Sequence, residues 1–154
     1  MSRPPAARTV DEILAAARGR LHRLTPDEAF RELGEGAVLI DIRPAAQRAS
    51  EGEIPGSVIV ERNHLEWRLD PCCAARLPWV TRYDHRVMVI CQESYTSSLA
   101  AVALHDLGLR RATDVIGGFR AWTAAGLPTA AAGTGAVTLA PGAAPAVLPA
   151  AVRV

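Results

Sequence analysis

A cysteine stands where a predicted strand meets a predicted helix, a position at which a thiol can act as a nucleophile. Cys91 follows the apolar run Val87–Ile90 and precedes a helical pattern that begins at about Ser97. In open α/β sheets, ligands bind outside the carboxyl ends of the strands. Loop N–H groups and the positive end of a helix dipole favour an anion there, and a thiolate is an anion. The position therefore predicts an activated cysteine; a small buried residue that merely ends a strand is the alternative.

Small polar residues dominate the segment after this cysteine and suit a cradle for an anion. Hydroxyl side chains recur in it, although some of them can serve only as helix caps. Its single charge is that of Glu93, which should repel a dianion unless the carboxylate points away. The predicted binding loop consists of Gln92, Glu93, Ser94, Tyr95, Thr96 and Ser97.

The composition is that of one domain with some additional tail. The chain has 154 residues, is 49% hydrophobic and carries a net charge of +1. This charge gives no reason to expect a nucleic acid or an anionic membrane as a partner. No stretch reaches the about 20 apolar residues that a membrane-spanning helix needs. The polar, proline-rich start lacks an apolar signal core, so we expect a cytoplasmic protein.

Buried strands alternate with helices along the chain, which predicts an α/β domain with a mainly parallel sheet of about five strands and helices on both faces. Short β-branched runs bounded by glycine or proline mark the strands. Two capping boxes, at Thr9 and Thr25, mark the starts of the first two helices. The predicted strands are 21–24, 37–42, 58–60, 87–90 and 112–116, and the main helices are 10–18, 26–34, 97–107 and 119–125.

Four motifs, in order along the chain, resemble those of the single-domain rhodanese-like sulfurtransferases. They are Leu39–Arg43, which resembles the family's Asp-x-Arg; Gly52–Ser57, which resembles Gly-His-Ile-Pro-Gly-Ala; Val89–Cys91 with its loop; and Gly117–Pro128, which resembles Gly-Gly-x-x-x-Trp…Gly-x-Pro. The resemblance implies a rhodanese-like domain over residues 20–128. Residues 1–19 are then an N-terminal helical extension. Residues 129–154, rich in Ala, Gly and Pro, are expected to be a flexible tail, with a packed strand or an interaction segment as alternatives.

The chemistry that the resemblance implies is sulfur transfer. The thiolate of Cys91 would take the outer sulfur of thiosulfate or of a polysulfide or persulfide donor, hold it as a persulfide, and pass it to cyanide, a thiol or a protein acceptor. Loop amides of residues 92–97 would stabilise the thiolate and the persulfide. Asp41 and Arg43 would support the site, and Arg62 could supply a cation at its rim. No metal and no organic cofactor are implied.

Departures from the family pattern leave the sulfur donor open. The family loop often ends in an arginine, but Thr96 stands at that position, and Ser94 stands near the family's usual glycine. Thiosulfate is therefore expected to be a poor donor. Phosphatases of the same fold grip phosphate with an arginine in this loop; Ser97 stands there, which argues against phosphoryl chemistry. A non-catalytic rhodanese-like binding or regulatory module is the remaining alternative.

The other two cysteines are adjacent, at Cys72 and Cys73. A thiol there could accept sulfur from Cys91 or form a disulfide with it, but an incidental pair is the simpler interpretation. A zinc site that combines them with His64 and His85 is disfavoured, because structural zinc ligands leave a gap of about two to four residues between cysteines.

Overall fold

Four parallel strands form the sheet that positions the cysteine, in the order β2-β1-β3-β4. In this computed structural model, which describes residues 1–133, every residue of these strands is buried. The strands are β1 (Val38–Asp41), β2 (Val58–Ile59), β3 (Val87–Ile90) and β4 (Thr113–Asp114). Burial on both faces explains why β1 and β3 are continuous apolar runs rather than alternating ones.

Six α-helices connect and cover the strands. They are α1 (Val10–Gly19), α2 (Pro26–Gly34), α3 (Ala45–Glu51), α4 (Leu65–Leu69), α5 (Thr96–Asp106) and α6 (Gly118–Ala124), with a 3₁₀ turn at Arg62–His64 before α4. Both predicted capping boxes are present, because the Thr9 and Thr25 hydroxyls each accept from the N–H of a glutamate three residues on.

Alternate strand residues contribute to two separate hydrophobic clusters, one on each face of the sheet. Val87 and Val89 of β3 pack in one cluster together with Leu104 of α5. Met88 and Ile90 lie in the other, which contains Trp122 of α6. The parallel sheet with helices on both faces is thus confirmed, and the side-chain alternation of a strand is what divides the core.

The predicted strand at 21–24 is reduced to a single parallel bridge between Leu24 and Val115. The Leu24 N–H donates to the Asp114 carbonyl, and the Leu24 carbonyl accepts from the Ile116 N–H. Thr25 is already the N-cap of α2 and Pro26 its first residue, so pairing cannot continue. The sheet consequently has four strands rather than about five.

Both ends of the described chain contact the central domain. Leu14 and Ala17 of α1 are buried, and α1 lies against α5. Ala130, within the segment predicted to be a flexible tail, forms an antiparallel bridge with Glu53; the rest of that prediction, from residue 134 on, lies outside the described residues. Between residues 1 and 133, no helix combines the length and hydrophobicity needed to cross a bilayer.

Candidate active site

Cys91 lies directly after β3, at the carboxyl edge of the sheet, and only 5% of it is exposed. It forms part of a cavity of about 400 Å³. The other lining residues come from the segment after β1, from α3, from the loop after Cys91 and from α6: Ile42, Arg43, Pro44, Gln47, Glu51, Gln92, Glu93, Tyr95, Thr96 and Arg120. The cysteine thus occupies the position where α/β sheets bind ligands.

The start of α6 fixes the backbone at Cys91. The Phe119 N–H donates to the Cys91 carbonyl at 2.8 Å, and the Arg120 N–H donates to the Gln92 carbonyl at 3.1 Å. A Cβ atom at Gly118 would lie 2.5 Å from the Cys91 carbonyl oxygen, and the residue has φ +63°. Only glycine allows this close approach together with a left-handed backbone.

The loop turns at Ser94, whose φ of +68° is in the left-handed region. Serine rarely adopts this conformation, whereas glycine does so freely. The Ser94 hydroxyl accepts from the Gly117 N–H at 3.0 Å, and this bond helps to hold the turn. Ser94 therefore occupies the glycine-like turn of the loop with a side chain that anchors it to the segment before α6.

The N–H groups of Gln92, Glu93, Ser94 and Tyr95 make no backbone hydrogen bond to any of residues 1–133. They belong to the loop that connects Cys91 to the N-terminus of α5. Successive free backbone donors, together with a helix N-terminus, form a site for an anion. This loop can therefore stabilise negative charge on a sulfur atom without a charged side chain.

The predicted loop residue Ser97 and its neighbour Ser98 serve a different site. The Ser97 and Ser98 hydroxyls donate to Oδ2 of Asp114 at 2.9 and 2.8 Å, and neither residue lines the cavity. Asp114 is fully buried and also pairs with Arg23 at 2.8 Å. Ser97 and Ser98 thus attach the first turn of α5 to β4, and only the Thr96 side of that turn borders the cavity.

Asp41 and Arg43 form a buried ion pair at the carboxyl end of β1. Nη2 of Arg43 lies 2.7 Å from Oδ2 of Asp41 and also donates to the Gly52 carbonyl at 2.8 Å. The guanidinium stacks 3.7 Å from the ring centroid of Phe119. Arg43 borders the cavity whereas Asp41 does not, so the aspartate orients the arginine that forms one wall.

The exposed cation at the cavity is Arg120, which the sequence analysis did not select. Its Nη1 lies 2.6 Å from Oε1 of Glu93, and the two side chains are 71% and 43% exposed. Arg62, the predicted rim cation, pairs instead with Glu66 one helical turn away at 2.7 Å and is absent from the described cavity lining. Arg120 stands at an unspecified position of the Gly-Gly-x-x-x-Trp motif, so that motif gave no sign that its side chain borders the cavity.

The adjacent cysteines lie away from this cavity. The Cys72 sulfur is 3.2 Å from the Tyr83 hydroxyl, a hydrogen bond that raises the pKa of Tyr83. Neither Cys72 nor Cys73 lines the cavity of Cys91. Within the described part of the chain, no group of three or more His, Cys, Asp or Glu side chains is arranged to hold a metal ion.

A parallel sheet with a cysteine at a strand end and a loop of free amides defines an α/β protein whose site can hold an anion beside a thiol. The model of the Rhodanese-like domain family matches residues 25–125, and the chain belongs to this family.

Curated relatives include two thiosulfate sulfurtransferases named GlpE. The protein from Stutzerimonas stutzeri is 32% identical over 100 residues, covering 65% of this chain and 83% of the relative. The protein from Actinobacillus succinogenes is 31% identical over 107 residues, covering 68% and 86% of the two chains.

A solved structure of similar fold is a protein of unknown function from Rhodopseudomonas palustris, described as a possible tyrosine phosphatase. It has a TM-score of 0.74 and is 28% identical, covering 84% of this chain and all of that one. The residues matched by the family model begin after α1.

Proposed function

We propose that the protein is a sulfurtransferase that carries sulfane sulfur as a persulfide on Cys91. The observation that supports this most directly is the buried sulfur beside a loop whose amides are free. The sulfurtransferase names of the two curated relatives support the same class of activity.

Two half-reactions complete the cycle. The Cys91 thiolate attacks the outer sulfur of the donor, the sulfur–sulfur bond of the donor breaks, and its electron pair leaves with the departing group, which is sulfite when the donor is thiosulfate. A thiophilic acceptor such as cyanide or a thiol then attacks the outer sulfur of the persulfide, and Cys91 departs as a thiolate. No cofactor takes part in either step.

The charges around the cavity favour a donor with less charge than thiosulfate. The charge of Arg43 is balanced by Asp41 and that of Arg120 by Glu93, and Glu51 adds a further carboxylate to the lining. A dianion therefore meets no unbalanced cation among these groups. An organic polysulfide or a persulfide on a small thiol or a protein is the donor that we expect to react fastest, with thiosulfate as a slower one.

Phosphoryl transfer, suggested by the description of the structural neighbour, has less support. A phosphatase of this kind needs an arginine that holds the phosphate from two nitrogens. No side chain of the loop between Cys91 and α5 is an arginine. Arg120 is exposed and held by Glu93, which leaves it poorly placed to grip a phosphate at the cavity floor.

The test is the intact mass of the protein after exposure to thiosulfate and, separately, to an organic polysulfide. A Cys72→Ser/Cys73→Ser double variant should gain one sulfur atom that a reductant removes, whereas the same chain with Cys91→Ser added should gain none. If neither donor adds sulfur at Cys91, the chain is a rhodanese-like binding module and the enzymatic proposal fails.

A further inference from the structure

Arg18, in the last turn of α1, reaches from outside the family domain to the cysteine loop. Its Nη2 donates to the Ser94 carbonyl at 2.9 Å, and its Nε donates to the Ser98 hydroxyl at 3.1 Å. Its guanidinium carbon lies 5.7 Å from the centroid of the Tyr95 ring. One side chain thus contacts three residues of the loop and of the first turn of α5.

The bond to Ser94 fixes the orientation of the peptide that joins it to Tyr95. In a trans peptide the C=O and the N–H point in opposite directions, and the structure contains no cis peptide bond in its described residues. The Arg18 guanidinium holds the Ser94 carbonyl on its own side of the loop. The Tyr95 N–H must then point to the other side, and Tyr95 lines the cavity with Cys91.

This peptide needs an external partner because Ser94 is held at φ +68°. A non-glycine residue in the left-handed region has lower-energy alternatives, and rotation of the following peptide would remove the Tyr95 N–H from the anion site. A guanidinium is always charged and can donate from two nitrogens in fixed geometry. Arg18 therefore supplies a charge-assisted hydrogen bond at the residue of the loop that has a left-handed backbone.

We propose that Arg18 is a positioning residue for the reaction at Cys91: by holding the Ser94 carbonyl, it directs the Tyr95 N–H toward the sulfur. This inference rests on the proposed function, because it concerns the same sulfur. It also assigns a role to α1 as the element that completes the anion-binding loop from outside the family domain.

The experiment compares Arg18→Ala, Arg18→Lys and Arg20→Ala in the full chain carrying Cys72→Ser and Cys73→Ser. Persulfide formation on Cys91 is followed by intact mass in single turnovers at several concentrations of an organic polysulfide. Arg18→Ala should lower the rate at saturating donor by about tenfold, since loss of a full oxyanion donor costs about 100- to 1,000-fold and this loss is partial. The half-saturating concentration should not change, because Arg18 does not line the cavity.

The other variants separate positioning from simple loosening of the fold. Arg18→Lys should react faster than Arg18→Ala but more slowly than the chain with Arg18. Its ammonium can still bond the Ser94 carbonyl but lacks the second nitrogen that reaches Ser98. Arg20→Ala should react like wild type, because Arg20 pairs with Asp106 at the surface and, among residues 1–133, forms no hydrogen bond or ion pair with the cysteine loop. Amide hydrogen exchange of Gly117, Phe119 and Arg120, whose N–H groups bond to the cysteine and its loop, should accelerate in Arg18→Ala at a concentration of denaturant far below unfolding.

A wild-type rate for Arg18→Ala, or an equal loss in Arg20→Ala, would overturn the inference and leave Cys91 as a sulfur carrier. A wild-type chain that takes up no sulfur would instead overturn the proposed function. In that case hydrogen exchange alone decides whether Arg18 holds the loop, and unchanged exchange of Gly117, Phe119 and Arg120 would reject that as well.

Discussion

Glu93 and Arg120 face each other across the opening of the cavity that contains Cys91, with 2.6 Å between carboxylate oxygen and guanidinium nitrogen. The glutamate belongs to the cysteine loop and the arginine to α6. The pair neutralises the acidic charge of the loop. Because both side chains are substantially exposed, the pair contributes only about 0–1 kcal/mol to stability, so it can open when a donor arrives.

Replacing Glu93 should therefore improve the use of an anionic donor. In Glu93→Gln, Arg120 loses its partner and can attract thiosulfate, so the half-saturating thiosulfate concentration should fall by about threefold to tenfold, as expected for an attraction of about 1 kcal/mol. Sulfur uptake at a series of thiosulfate concentrations measures this. Asp84→Asn is the control, because it removes the same charge from an exposed pair with Arg82; equal effects in both variants would contradict a local cause.

Two substitutions at Ser94 separate the contribution of its hydroxyl to stability from that of its backbone conformation. Ser94→Ala removes the acceptor of the Gly117 N–H and should lower the free energy of unfolding by about 1–2 kcal/mol. Ser94→Gly loses the same bond but relieves the strain of a non-glycine residue at φ +68°, so it should be more stable than the alanine variant by about 1 kcal/mol. Urea denaturation ranks the two; an alanine variant at least as stable as the glycine variant would show that the turn is unstrained.

Asp114 should be far more important for stability than its distance from the cavity suggests. It is fully buried and accepts hydrogen bonds from Arg23, Ser97 and Ser98. Asp114→Asn replaces the carboxylate with a neutral amide and leaves the charge of Arg23 unpaired. The free energy of unfolding should therefore fall by about 3–5 kcal/mol. Chemical denaturation measures the loss.

The matched control for Asp114 is Asp106→Asn. Asp106 pairs with Arg20 at 2.9 Å, but its side chain is 69% exposed, so its loss should cost under about 1 kcal/mol. Similar losses in the two variants would mean that the buried cluster is not an anchor for α5.

His85 predicts a pH dependence of stability. Burial is the main cause that lowers the pKa of His85 from 6.5, and the nearby charge of Arg82 acts in the same direction. The unfolded chain then binds this proton more readily than the folded protein, so His85 lowers stability as the pH falls below 6.5. This contribution changes the free energy of unfolding by at most about 1.4 kcal/mol per pH unit, and the change stops below the pKa that His85 has in the folded protein.

The variant His85→Phe keeps a ring against Trp79, which His85 contacts edge to face with ring centroids 5.1 Å apart. The difference in unfolding free energy between variant and wild type should be constant at neutral pH and should shift in favour of the variant at pH 5. Urea titrations at several pH values measure it. A difference that does not change with pH would show that His85 binds its proton equally in both states.

Local patterns predicted the elements that local interactions decide. The β-branched runs became β1 and β3, and both threonine capping boxes formed, because each depends on residues a few positions apart. The strand predicted at 21–24 reached only one bridge, because the capping box at Thr25 begins α2 immediately. Two local signals competed there, and the helix start prevailed.

The candidate site was predictable only where the cysteine loop itself carries the signal. Asp41 and Arg43 lie within one strand end, and their motif indicated that both support the site, but it did not specify that they pair with each other. Arg18 and Arg120, which contact the loop from either side, come from helices distant in sequence. The Ser97 side chain points to Asp114 rather than into the cavity because of its rotational position on α5. The pattern of a single sequence does not specify that position.

The 5% exposure of Cys91 also governs which molecules can collect the sulfur. Under the proposed function, a sulfur donor or acceptor must enter the cavity to meet the Cys91 sulfur. A small nucleophile such as cyanide needs only the opening, whereas a sulfur atom carried by a protein must be presented on an extended side chain or segment. The burial that shields the nucleophile therefore also selects its donors and acceptors by shape.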